Sequence, residues 1–265
     1  MVLEGPVAPP QALGAGATSG DGQPASAREA LASVAWLSLV PSETLDWLAE
    51  QAVLHRVPSG SIVFEQAETP TFAQFVIEGS VEMLGVRGKT ETFIELVRPV
   101  DLLLPAAVLS RQPFLLRARV RSEARLLMIH AEAFRDAIGS DHALCLAVLS
   151  CQAGQFRRQV KQAKNVRLRS AQERVGCYLL RLLQDLPQGT SVRLPLEKWL
   201  IASELGMTRE TFSRTLAGVA RHGIRVDGDL AILEDPAKAR ANFILDPLID
   251  GSEMFLPLQV KGARL

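Results

Sequence analysis

Five residues in one short run have the types that read a nucleic acid: Thr208, Arg209, Glu210, Ser213 and Arg214. A helix capped by Thr208 carries the other four on the outward side of its N-terminal half. Arginine there can donate a pair of hydrogen bonds to guanine O6 and N7, glutamate can accept from cytosine N4, and serine can bond a base or a phosphate. This is chemistry of recognition, not of bond breaking. The chain contains no HExxH, GxSxG, Walker or GxGxxG pattern, and its four histidines are too dispersed in sequence to suggest a catalytic cluster. The protein is not expected to be an enzyme.

The elements that must hold those side chains outward are legible in Leu196 to Arg221, LEKWLIASELGMTRETFSRTLAGVAR. Ile201, Ala202 and Leu205 form the inner face of one short helix, Gly206 supplies the permissive turn, and Met207, Phe212 and Leu216 form the inner face of the next. That is a helix-turn-helix pattern, and small Ala202 lets the two helices cross closely. Beyond it, Ile224-Arg225-Val226 and Leu230 to Leu233 flank Asp227-Gly228, a two-residue hairpin signal that makes the unit a winged helix. Val192-Arg193-Leu194 is placed to complete a small sheet.

Charge supports the same region. The 265-residue chain balances 29 Lys and Arg against 29 Asp and Glu, so its bulk charge points to no polyanion. Between Gln155 and Arg225, however, 14 basic residues face five acidic ones, a surplus of nine that the rest of the chain cancels. A basic module of this kind is the electrostatic footprint of a polyanionic partner, because neutralised phosphates release condensed counterions.

A long helix leads into that module. Ser140 or Asp141 can cap a helix running to about Val166, on which Leu146, Leu149, Ala153, Phe156, Val160 and Ala163 alternate three- and four-residue steps. Such spacing keeps one apolar seam on a helix that pairs with its twin. The competing arrangement packs the seam on the chain's own preceding domain. The basic residues Arg157, Arg158, Lys161 and Lys164 suit that arrangement poorly, and a homodimer is expected. Gly154, inside this helix, marks a close helix approach or a weak point.

Upstream, residues 1–27 are rich in Gly, Pro, Ala and Ser and too poor in large apolar side chains to offset the entropy of ordering. They carry neither the basic nor the apolar region of a signal peptide. The most apolar stretch, Leu102 to Leu109, is interrupted by Pro105 and far short of the roughly 20 residues a membrane span needs. Three cysteines, Cys145, Cys151 and Cys177, form no CxxC and argue against a disulfide scaffold. A soluble protein of a reducing cytoplasm fits, with no membrane partner. Ala30 to Gln51 reads as a helical lead-in broken at Pro41-Ser42. From Ala52 to His130, roughly eight short β runs separated by turn residues, including Pro58-Ser59-Gly60, Glu78-Gly79-Ser80 and Arg87-Gly88-Lys89, suggest a sandwich or jelly roll.

Together these residues resemble the cyclic-AMP receptor protein and fumarate-nitrate regulator superfamily of bacterial transcription factors. FVIEGSVEML at Phe75 to Leu84, the long helix and above all GMTRETFSRTL at Gly206 to Leu216 carry the resemblance, which runs from about Ala30 to Leu233. It implies an α+β chain: a β-roll sensor domain of the cyclic-nucleotide-binding type over 28–138, a dimerisation helix over 139–166 and a winged helix-turn-helix over 167–242. An extension over 243–265 follows. It also implies that Arg209, Glu210 and Arg214 contact bases, and that Ser213 matches the serine of the fumarate-nitrate branch. The implied partners are a two-fold symmetric site on double-stranded DNA, a second copy of the chain, and RNA polymerase. An effector in the β-roll would shift the helix pair that orients the reading heads.

Departures from the family bear on the effector. Around Asp101-Leu102 the glycine and glutamate of the cyclic-nucleotide phosphate cassette are replaced by bulky aliphatics, so cyclic AMP is not expected. No cysteine precedes Cys145, so the family's N-terminal iron–sulfur cluster is not expected either. An apolar pocket remains, suited to haem, another flat hydrophobic effector, or nothing. RPV, LLLPAAVL and the PLID at Pro247 to Asp250 look like a branch of FtrB-type regulators of iron transport. Candidate haem ligands are His55, His130, His142, Cys145, Cys151 and Met83, of which His142 and Cys145 share a helix face. Two further readings stand beside this one: a cupin-like sensor fused to an unrelated winged helix, although the histidine-rich cupin motif is absent, and a constitutive regulator whose β-roll is only a scaffold. The apolar residues from Phe243 to Leu258 suggest that the extension packs on something, but no motif places it.

Overall fold

A computed structural model describes residues 26–184, 186 and 190–251. The proposed N-terminal tail lies outside these residues except for Ser26 and Ala27, and the extension is described only to Gly251. Ser26 caps α1 (Ala27–Ala32), accepting from the Glu29 amide; a 3₁₀ turn (Ala35–Leu37) and α2 (Ser42–Glu50) complete the lead-in. Leu31, Trp36 and Leu48 are buried from it, so these helices form part of the domain core.

The β-roll follows with β1 (Ala52–Val57), β2 (Ile62–Phe64), β3 (Phe72–Arg87), β4 (Thr90–Val97), β5 (Asp101–Leu102), α3 (Pro105–Ser110) and β6 (Arg117–His130). The sheet runs β1-β6-β3-β4, with β2 on β6 and β5 on β3, all antiparallel. There are six strands where the turn signals suggested about eight. The main reason lies at Glu78-Gly79-Ser80, which is not a turn between strands but a bulge inside the continuous β3. Gly79 takes φ +77°, and a Cβ there would stand 2.2 Å from the Glu123 carbonyl oxygen on β6. The glycine bends one long strand instead of ending it. Arg87 and Thr90 do pair across a tight Gly88-Lys89 turn, as the sequence indicated.

His130 ends the β runs as the sequence indicated and passes directly into α4 (Ala131–Ser140), to which the sequence pattern assigned no element. Ser140 therefore belongs to α4, and Asp141 caps α5 (His142–Leu168) through the Leu144 amide. Leu144, Ala147, Val148 and Cys151 bury one side of α5 against the lead-in helices and β-roll. Only Arg169 and Ser170 separate α5 from α6 (Ala171–Leu183), where Ser170 and Glu173 form a reciprocal capping box. The second domain adds β7 (Ser191–Arg193), α7 (Lys198–Glu204), α8 (Arg209–Ala220), β8 (Ile224–Asp227), β9 (Leu230–Leu233), α9 (Pro236–Asn242) and α10 (Pro247–Asp250). Its sheet, β7-β9-β8, is the small one anticipated. The hairpin turn sits one residue later than the Asp227-Gly228 signal: Asp227 still pairs with Leu230, leaving Gly228 and Asp229 as the loop.

Candidate nucleic-acid interface

The outward face of α8 is built from the inside out. Phe212 and Val219 are fully buried in the second domain's core with Ile201, Ala202 and Leu205, which fixes the rotation of α8. Gly206 takes φ +65° between α7 and α8, a conformation L side chains rarely adopt. A Cβ there would also stand 2.8 Å from a Val166 methyl of α5. Thr208 then caps α8, its hydroxyl accepting from the Thr211 amide. The consequence is that Arg209, Glu210, Ser213 and Arg214 are all exposed on one end of the helix.

These side chains are chemically free to bind. Among the described residues Arg209 makes no salt bridge, and Arg214 only approaches the Thr211 hydroxyl, at 3.5 Å. Glu210 is held below the usual carboxylate range by the backbone at its own position, the Thr208 hydroxyl and, more weakly, the flanking Arg209 and Arg214. It therefore presents an ionised, acceptor-only group at neutral pH.

The helix seam has a matching character. Leu149, Ala153, Phe156, Val160 and Ala163 are exposed along α5, and Leu146 is half-buried at its start. Phe156 alone is 66% exposed, a large apolar ring in water. Of the four basic residues thought to discourage intramolecular packing, Arg158 turns inward to Glu95 and Asp101, and Lys161 donates to the Gly251 carbonyl. Lys164 approaches Asp246 at 3.9 Å. The seam rests on its own exposure, not on that basicity.

The second domain meets the β-roll through α7. Arg121 of β6 bonds Glu197 at 2.6 Å and lies over the Trp199 ring, while Arg98 bonds Glu204 at 3.1 Å. Burial pushes the Glu204 carboxyl up, against the opposing pull of Arg98. Sequence reasoning missed these contacts because each joins residues more than 70 positions apart.

Two buried carboxylates of the β-roll have charged partners within the chain. Asp101, 7% exposed, accepts from the Leu102 amide and the Gln155 side chain and pairs with Arg158. Glu82, only 3% exposed, meets Arg119 at 3.0 Å. Phe64 stacks on Phe114 with ring centroids 3.7 Å apart, within a cluster that includes Met83, Leu103 and Leu126.

The candidate haem ligands are not brought together. His55 lies exposed on β1, His130 exposed at the end of β6 against Phe72, and Met83 inside the β-roll core. His142 and Cys145 are exposed at the start of α5, whereas Cys151 is buried beside Asp101 with its thiol pushed up by burial and by that carboxylate. Among the described residues no group of three His, Cys, Asp or Glu is placed to hold a metal ion. Donors scattered in this way do not fit a haem within one chain. No described helix is long and apolar enough to cross a membrane.

A β-roll sensor-type domain joined by a long helix to a winged helix-turn-helix is the class that this architecture defines. The profile of the cyclic nucleotide-binding domain matches residues 54–141, and that of the Crp-like helix-turn-helix domain matches residues 173–238. The nitrogen fixation regulation protein FixK of Azorhizobium caulinodans is 32% identical over 111 residues, covering 40% of this chain and 45% of that protein. The chain spans less than half the length of the curated relatives it matches. In fold it is similar to FixK2 from Bradyrhizobium japonicum, with a TM-score of 0.58 at 18% identity over 74% of this chain and 98% of that one. It is likewise similar to a CooA mutant from Carboxydothermus hydrogenoformans, with a TM-score of 0.59 at 17% identity over 73% and 88%. The two matched profiles, one on each domain, support a place in the CRP/FNR superfamily.

Proposed function

We propose that the chain is a homodimeric, sequence-specific DNA-binding transcriptional regulator. Two copies pair along the α5 seam and present their α8 helices to the two halves of a two-fold symmetric site on double-stranded DNA, near RNA polymerase. The observation that carries this reading is the outward end of α8. Arg209, Glu210, Ser213 and Arg214 stand exposed there while Phe212, on the same helix, is fully buried and locks its rotation. Arginine and glutamate in that position suit guanine and cytosine edges in the major groove. The exposed Leu149, Phe156 and Val160 supply the dimer contact, an apolar stripe that water would otherwise cover.

For the β-roll, the observations favour a scaffold that positions the helices over a pocket for haem or a cyclic nucleotide. One part of its interior is packed by its own aromatic and aliphatic side chains, including Phe64, Met83 and Phe114. The Asp101 segment, where the family's cassette residues are replaced, directs its carboxylate to Gln155 and Arg158 of the chain itself. Activity then follows the concentration of the dimer.

Selection of binding sites from a random-sequence duplex library tests the proposal. It predicts enrichment of a two-fold symmetric motif bound by two chains. Failure to enrich any sequence, or an asymmetric motif bound by one chain, would contradict it.

A further inference from the structure

The C-terminal extension, for which the sequence offered no motif, reaches the joint between the dimer helix and the reading head. That joint is short. Arg169 and Ser170, at φ −119°, ψ 140° and φ −63°, ψ 162°, are the only non-helical residues between α5 and α6, so their four dihedrals set the angle between the two helices. The helix-turn-helix profile ends at residue 238, and Phe243, Asp246, Asp250 and Gly251 all lie beyond it.

Phe243 anchors the extension on α6. The residue is 2% exposed and its ring packs against Gly176, where an added Cβ would stand 2.2 Å from two ring carbons. From that anchor the chain turns through α10 and returns to the joint. Asp250 receives two hydrogen bonds from the Arg169 guanidinium, at 2.8 and 2.6 Å, and a third from the Asp246 amide. The Arg169 and Asp250 side chains are 9% and 12% exposed, so this ion pair is largely shielded from water. Burial alone would push the Asp250 carboxyl up, but Arg169 and the Asp246 amide hold it below the usual range. One residue further on, the Gly251 carbonyl accepts from Lys161 of α5. The extension thus grips the helix before the joint, the joint itself and the helix after it.

We propose that residues 243–251 form a strap that fixes the angle between dimer helix and reading head, with Arg169 and Asp250 as its positioning pair. The proposal rests on the DNA-binding reading above and adds what sets the separation of the two heads. A fixed angle matters when two heads must meet two half-sites at one spacing, and matters little when one head meets one half-site. Pre-organising the dimer in this way removes an ordering cost from two-headed binding.

The test uses the full chain, its selected two-fold site, the same site with one base pair added between the halves, and an isolated half-site. Asp250→Asn keeps the shape of the side chain and removes its charge. The expected result is about tenfold weaker binding to the two-fold site, the scale of one charge-assisted hydrogen bond, with half-site binding unchanged and a smaller penalty for the added base pair. The exchange Arg169→Asp with Asp250→Arg should recover part of the loss. Unchanged two-fold binding and unchanged spacing preference in Asp250→Asn would overturn the strap. Equal weakening on the two-fold site and half-site would overturn it too, because that is the mark of a damaged fold. If the wild-type chain bound neither DNA, the DNA-binding reading would fail instead. Amide exchange at 167–176 would then judge the strap alone: faster exchange in Asp250→Asn supports it, and identical exchange overturns it.

Discussion

The β-roll and the reading helix use charged residues in opposite ways. In the β-roll and along the inner face of α5, charge is consumed internally: Asp101 and Glu95 meet Arg158, and Glu82 meets Arg119. On α8, Arg209 and Arg214 face solvent with no carboxylate among the described residues bonded to either, and Glu210 stands exposed between them. A charge that the fold satisfies contributes to architecture, whereas charges held outward by a buried aromatic are available to a partner. The two regions therefore predict different consequences for similar substitutions.

The largest effect is expected where the outward face is built. Phe212→Ala removes a fully buried ring from the reading head and should cost about 3–5 kcal/mol. The head should melt earlier while the β-roll transition stays in place. A single unshifted melt would show that Phe212 does not hold α8. Next, Phe156→Glu places paired carboxylates in the exposed seam and should yield a monomer by light scattering. A dimeric mass for that variant would remove the seam from the account.

Asp101→Ala sharpens the comparison from the other side. It leaves Arg158 and Gln155 short of an acceptor and should destabilise the first domain by about 2–3 kcal/mol, with no change in which DNA sequence is preferred. An altered preference would mean that the internal charges take part in reading. The smallest effect is a null: haemin titration should give no sharp, saturable Soret band. One equivalent bound per chain would return the exposed His142 and Cys145 to the centre of the problem.

What the sequence revealed, and what it concealed, follows from range. Helix α8 and its outward face were legible because their signals are local: Gly206, the Thr208 cap and Phe212 lie within seven residues. The seam was legible because its period repeats along one helix. Helix α4 was not, since β6 runs into it at His130 without a glycine, proline or side-chain cap to mark the change. Gly79 misled because a glycine that bends a strand looks the same in sequence as one that ends it. The role of the extension was invisible for a simpler reason. Arg169 and Asp250 are 81 residues apart, and no periodicity connects them.

The most direct measurement is a titration of the wild-type chain and Arg214→Ala on the selected two-fold site at one salt concentration. The account predicts that Arg214→Ala folds and dimerises normally but binds about 1–3 kcal/mol more weakly, the cost of a lost paired guanine contact at each reading position. Its discrimination should relax at that base pair. Equal affinity and equal discrimination in the two proteins would contradict the assignment of α8 as the surface that reads DNA.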